Sequence, residues 1–227
     1  MNSKIKLIIF DIDGVMIDVS QSYRLSIKKT AEFFLGKILD MKEVEDIKNQ
    51  PGNNDDYDAT EAIIMSHGGD FRKQVIIKKF QEYYLGRKLD GLLLKEKCLL
   101  SEAALKKLKK YKLAVFTGRN KFEAEFVLKR FKILSYFDEL LTVENVANKK
   151  PAPEGLLKIT SKLKIKPEEA VYVGDSVDDV RCAKSAKINF IGVIPPGVDK
   201  ARAKEVLAGE GAEIVLNSAN EIINVLK

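Results

Sequence analysis

From residue 112 onward the chain alternates short apolar runs with amphipathic stretches, and this rhythm constrains the fold more than any other feature. "KLAVFTG" (112–118) reads as a buried strand ending in a turn, and "KFEAEFVLKRF" follows with Phe122, Phe126 and Val127 on one helical face. After "DELLTV" come a helix carrying Leu156, Ile159 and Leu163 and the strand "AVYVGD". A helix from Asp178, the run "NFIGVI", a helix near 199–208, "AEIVL" and "SANEIINVL" complete the series. Such alternation predicts a parallel sheet with helices on both faces, an α/β core. Ligands of these sheets gather beyond the carboxyl ends of the strands.

Upstream, "IIFDIDG" (8–14) is another apolar strand, and 106 positions separate its Asp11 from Thr117. A strand-to-strand crossover needs only about a dozen residues. Most of the surplus reads as helix. Tyr23, Ile27, Ala31 and Phe34 form one stripe, with Ser20 as the expected N-cap and Gly36 as the stop. Asp58 and Glu61 make a capping-box pattern ahead of Ala62 and Ile63, and Asp70 is expected to cap a helix bearing Ile76, Phe80 and Tyr83. The expected organisation is a core of residues 1–17 and 96–227 and a helical cap domain, 18–95, inserted over the sheet's active edge.

Composition narrows the function classes. With 227 residues, 45% of them hydrophobic, the chain can bury a substantial core. No apolar run approaches the roughly 20 residues of a membrane span, and the apolar positions in "MNSKIKLIIFDID" are too few for a secretory signal. Cys98 and Cys182 have neither metal-ligand spacing nor a disulfide framework, which fits a cytoplasmic setting. A single histidine, His67, argues against zinc or histidine catalysis and reads as a helix-end residue. The net charge of +6 is dispersed in runs such as "KKLKKYK", a solvated helix face and not a nucleic-acid track.

Asp11 and Asp13 stand two apart at a strand's end, and side chains at i and i+2 share a face. Two carboxylates so placed repel unless a cation or a proton neutralises them. Three further loops fall at strand or helix ends: "TGR" (117–119), "KKPAPEG" (149–155) and "GDSVDD" (174–179). Together with "DIDG" they bring carboxylates, a hydroxyl, a lysine and backbone amides to one sheet edge. That is the inventory for a hard, oxygen-bound divalent cation holding a phosphate. Each loop alone reads equally well as a turn, a cap or a surface segment, and the weight lies in their joint occurrence. An EF-hand is excluded, because Ser22 stands where its twelfth-position Glu is required. In the insertion, Arg24 is a candidate clamp for a substrate carboxylate or phosphate. Asn54, Asp55 and Asp56 are accounted for by capping, and Cys182 by core packing.

With these four motifs in order, the chain resembles the haloacid dehalogenase superfamily of phosphohydrolases. The resemblance is to the phosphoglycolate phosphatase-like subclass, whose helical cap lies between the first and second motifs. It covers about 1–18 and 95–227 and implies a Rossmann-like parallel-sheet core. It also implies that Asp11 is the nucleophile and Asp13 the general acid/base. Thr117 and Lys150 would grip the phosphoryl group, with Gly118 in the substrate-binding set beside Arg24. Mg²⁺ would be held by Asp11, Asp175 and the Asp13 backbone carbonyl, with Asp179 supporting that site. The implied reaction is Mg²⁺-dependent hydrolysis of a small phosphorylated metabolite, of phosphoglycolate or sugar phosphate type, through an aspartyl-phosphate. A beta-phosphoglucomutase-like phosphotransferase and a non-catalytic phosphate-binding protein are the alternatives. No nucleic-acid or membrane partner is expected, and a monomer or homodimer is. Electrostatics agree with these roles: two unit charges 4 Å apart repel by about 4 kcal/mol at an effective dielectric of 20, so a carboxylate attacking a phosphate needs cationic help.

Overall fold

A computed structural model describes residues 5–48, 50 and 55–226. The chain forms two compact units, Met1–Asp18 with Cys98–Lys227, and Val19–Lys97. Eight strands are present among the described residues: β1 (Leu7–Phe10), β2 (Ile17–Asp18), β3 (Lys97–Cys98), β4 (Lys112–Phe116), β5 (Glu139–Leu141), β6 (Ala170–Gly174), β7 (Asn189–Val193) and β8 (Ile214–Leu216). β2 and β3 pair as a small ribbon at the two places where the chain passes between units. The other six form one sheet in the order β5-β4-β1-β6-β7-β8, parallel at every pairing. Strands buried on both faces lose the alternation of a half-exposed sheet, which is why β1 reads LIIF and every one of its residues is buried.

The unit Val19–Lys97 is helical: α1 (Tyr23–Leu35), α2 (Met41–Lys48), α3 (Asp56–Ser66) and α4 (Lys73–Tyr84). Its core is aromatic, with Tyr23 stacked on Tyr84 at 4.3 Å and on Phe80 at 6.2 Å between ring centroids. Three expected helix starts are displaced. Ser22, not Ser20, precedes α1, and its hydroxyl donates to Glu96 Oε1 at 2.9 Å in place of capping. The start of α3 is capped by Asp55, whose carboxylate accepts from the Tyr57 and Asp58 amides, so Asp58 lies inside the helix. Arg72, not Asp70, precedes α4, and Tyr84 turns inward where Tyr83 was expected. Gly36 ends α1 as anticipated, at φ 65°. His67 ends α3, its ring between Lys37 Nζ and Glu43 Oε2, each at 2.8 Å. Asn54 lies outside the described residues.

The remaining helices belong to the other unit: α5 (Glu102–Leu108), α6 (Lys121–Arg130), α7 (Glu154–Leu163), α8 (Val177–Ala186), α9 (Lys200–Gly209) and α10 (Ile222–Val225). Leu156 and Ile159 of α7 and Val180, Cys182 and Ala183 of α8 pack in one cluster with Leu7, Ile9, Phe116 and Tyr172 of the sheet. Of the expected face of α6, Val127 is buried, together with Ala124 and Leu128, Phe126 is half-buried, and Phe122 is 51% exposed. Phe10 of β1 is level with Val115 of β4 and Val173 of β6. Asp11, Thr117 and Asp175 therefore leave neighbouring strands at nearly the same height. The chain moves from β1 outward to β5 on one side and returns to β6 on the other, so β1 lies at the topological switch point, where such sheets bind ligands.

Candidate active site

Asp11 follows β1 directly and is 8% exposed. Its Oδ1 accepts from the Ile12 amide at 2.7 Å, and its Oδ2 lies 3.0 Å from Lys150 Nζ. The same ammonium reaches Asp179 Oδ1 at 2.9 Å and sits over the Phe116 and Tyr172 rings. Asp179, on the first turn of α8, is fully buried and crowded with donors: Tyr172 hydroxyl at 2.7 Å, Ser176 hydroxyl at 2.7 Å, and the Ser176 and Asp175 amides at 3.2 and 3.3 Å. Gly174 permits this wrap, since a Cβ there would lie 2.5 Å from Asp179 Cβ.

One ammonium serves two buried carboxylates, and they divide its charge unequally. Burial acts to raise the Asp179 pKa, but the charge and bond of Lys150, with the Ser176 and Tyr172 bonds, outweigh it and hold Asp179 below the ordinary carboxylate value. Asp11 has fewer donors; burial pushes its pKa up to about 7 against the pull of Lys150, and the Asp179 and Asp13 charges add to the rise. For Lys150, burial acts to lower the pKa, and the two carboxylates reverse it into a net rise. The ammonium stays charged, and its charge is shared between the Asp11 and Asp179 carboxylates.

Ligand atoms of Asp11, Asp175 and Asp179 lie within 4.8 Å of one another, an all-oxygen set that can hold a hard cation. Asp175 is half-buried, and its carboxylate approaches Gly14 so closely that a Cβ there would fall 2.0 Å from Oδ2. Gly14 has φ +71°, a backbone region that suits glycine. The oxygens of Asp179 already carry strong donors, so Asp11 and Asp175 are the members better placed to bind an ion directly.

Thr117 follows β4 directly and is buried, with its amide on the Leu141 carbonyl at 3.1 Å. Gly118 is exposed with open space around its Cα. Asp13 does not join the acidic cluster. Its Oδ1 takes Arg119 Nε at 2.9 Å and Nη2 at 2.5 Å. Arg119 was missed in the sequence, where an arginine after "TG" carries no sign that it will meet an aspartate 106 positions away. Tyr172 and Ser176 were also missed; a tyrosine inside a strand and a serine at a helix start read as core and cap. Arg24 lies half-buried on α1, in the other unit. Cys182 is buried as expected, its thiol pushed up to about 12 by burial.

Residues 8–193 match the family described as haloacid dehalogenase-like hydrolase. The phosphorylated carbohydrates phosphatase of Thermotoga maritima is 32% identical over 222 residues, 97% of each chain. The phosphoglycolate phosphatase of Salmonella typhi is 33% identical over 100 residues, 44% of this chain and 38% of that one. Among solved structures, a Thermotoga maritima protein provisionally described as a beta-phosphoglucomutase superposes with a TM-score of 0.73 at 27% identity, covering 98% of both chains. The chain belongs to the haloacid dehalogenase-like hydrolase family. The expected α/β fold holds, and the expected enzyme class, a phosphatase of this family, agrees with the names its relatives carry.

Proposed function

We propose that this protein is a Mg²⁺-dependent phosphatase that hydrolyses a small phosphorylated metabolite, of sugar phosphate or phosphoglycolate type, through a phosphorylated Asp11. The observation that carries this reading is the buried Asp11 carboxylate, 3.0 Å from Lys150 and clustered with Asp175 and Asp179 at the switch point of the sheet. Mg²⁺ held by Asp11, Asp175 and the Asp13 carbonyl would neutralise charge between the nucleophile and the phosphoryl oxygens. Asp11 attacks phosphorus while Lys150 and the Thr117 hydroxyl bind the phosphoryl oxygens. Asp13 gives a proton to the leaving oxygen and then takes one from the water that releases phosphate.

In this reading the unit Val19–Lys97 supplies substrate selectivity, with Arg24 as a specificity residue. Nothing in the core loops distinguishes one leaving group from another, so selectivity has to come from elsewhere. A phosphotransferase is the second reading, favoured by the beta-phosphoglucomutase-like neighbour. The test is phosphate release from a panel of phosphate esters with Mg²⁺ and with EDTA. Release that needs Mg²⁺ and no sugar bisphosphate supports the phosphatase. Isomerisation that requires a sugar bisphosphate supports the transferase, and full activity in EDTA overturns the metal's role.

A further inference from the structure

Arg119 is the buried cation for which the proposed chemistry has no use. Its side chain is 1% exposed, whereas that of its partner Asp13 is 33% exposed. Its backbone is fixed on both sides: the amide donates to Thr117 Oγ1 at 3.1 Å, and the carbonyl accepts from the Val143 amide at 3.2 Å. Burying a guanidinium costs several kcal/mol unless hydrogen-bonded charge offsets it. A pair whose cation is buried and whose anion faces outward therefore differs from an ordinary surface salt bridge, which contributes about 0–1 kcal/mol. Both bonds fall on one oxygen, Oδ1, and among the described residues none donates to Asp13 Oδ2.

We propose that Arg119 is a positioning residue for Asp13, fixing Oδ1 so that Oδ2 alone exchanges the proton. The inference rests on the reading of Asp13 as general acid/base. In the first half-reaction the bond from Asp11 to phosphorus forms, the bond to the leaving oxygen breaks, and that oxygen takes the proton from Oδ2. In the second, water oxygen bonds to phosphorus and passes its proton to Oδ2. The bond between phosphorus and Asp11 then breaks, returning the electron pair to the carboxylate. In both halves Oδ1 stays on the guanidinium, so the carboxyl cannot rotate its oxygens out of register.

The test follows kcat/KM, which reports events up to departure of the leaving group. Arg119→Gln and Arg119→Lys are compared with the wild type on an alkyl phosphate ester and on p-nitrophenyl phosphate. Proton donation matters for the alkoxide and little for p-nitrophenolate. Arg119→Gln is expected to lose roughly 10- to 100-fold on the alkyl ester, part of the 10²–10⁴-fold that a general acid supplies, and about threefold or less on the aryl ester. Arg119→Lys keeps the charge and is expected to recover part of the loss; should the glutamine variant not fold, the lysine variant carries the same comparison. The inhibition constant of inorganic phosphate is expected to stay within about twofold, because a positioning residue does not touch the phosphoryl group. An equal loss on both esters, or a tenfold weaker phosphate inhibition, overturns the role of Arg119. A wild type without turnover that depends on Asp11 and Asp13 overturns the underlying reading instead, and this inference with it.

Discussion

On the proposed reading, Mg²⁺ binding at Asp11 is a proton-coupled event. Burial and the neighbouring carboxylates push Asp11 up to about 7, because Lys150 is shared with Asp179. At pH 6 a group of that pKa is about 90% protonated, and at pH 8 about 10%. A divalent cation at Asp11 and Asp175 favours the carboxylate and expels the proton. Titrating Mg²⁺ into the metal-free protein should therefore release about 0.9 proton per ion at pH 6 and about 0.1 at pH 8. Apparent affinity should fall by up to about tenfold for each pH unit below 7. Isothermal calorimetry in buffers of different ionisation enthalpy reads the proton count directly. Asp11→Asn should abolish the release while the protein stays folded. Saturable Mg²⁺ binding at pH 6 with no proton released would refute the charge division described for Asp11, Lys150 and Asp179.

Two substitutions probe the site's other supports. Gly14→Ala puts a Cβ 2.0 Å from Asp175 Oδ2 at φ +71°. Left-handed strain of about 1–2 kcal/mol should lower Tm by about 2–8 °C, and displacement of the carboxylate should weaken Mg²⁺ at least about tenfold; scanning calorimetry and a Mg²⁺ titration check both. Lys150→Ala should depress every phosphate ester alike, whereas Arg24→Ala should change relative kcat/KM among natural esters and spare p-nitrophenyl phosphate. A common factor across all esters for Arg24→Ala would remove it from specificity.

How far the sequence could be read depended on whether a signal was local. β1, β4 and β6 are continuous apolar runs because they are buried on both faces, and that mark survives in one dimension. Their order in the sheet does not, since β1 lies beside strands that begin at positions 112 and 170. Helix caps slipped because several residues in each stretch could serve: near α3, Asp55, Asp56 and Asp58 all can accept from a helix amide, and only the backbone turn at Asp55 decides. Phe122, Phe126 and Val127 were expected on one face of α6, yet of the three only Val127 is fully buried, beside the smaller Ala124 and Leu128. In the site, Asp11, Asp175, Asp179 and Lys150, all named from the motifs, lie together, whereas the Asp13 carboxylate is turned to Arg119. The pairings themselves were not legible, because the bonds of Arg119 to Asp13 and of Lys150 to Asp179 span 106 and 29 positions.

The most direct test of the central claim is a rapid acid quench of the protein turning over a ³²P-labelled phosphate ester with Mg²⁺. The account predicts a protein-bound label that is stable to acid, released by hydroxylamine, located on the peptide containing Asp11 and absent from Asp11→Asn. Label on another residue, or Asp11→Asn turning over at the wild-type rate, would contradict it.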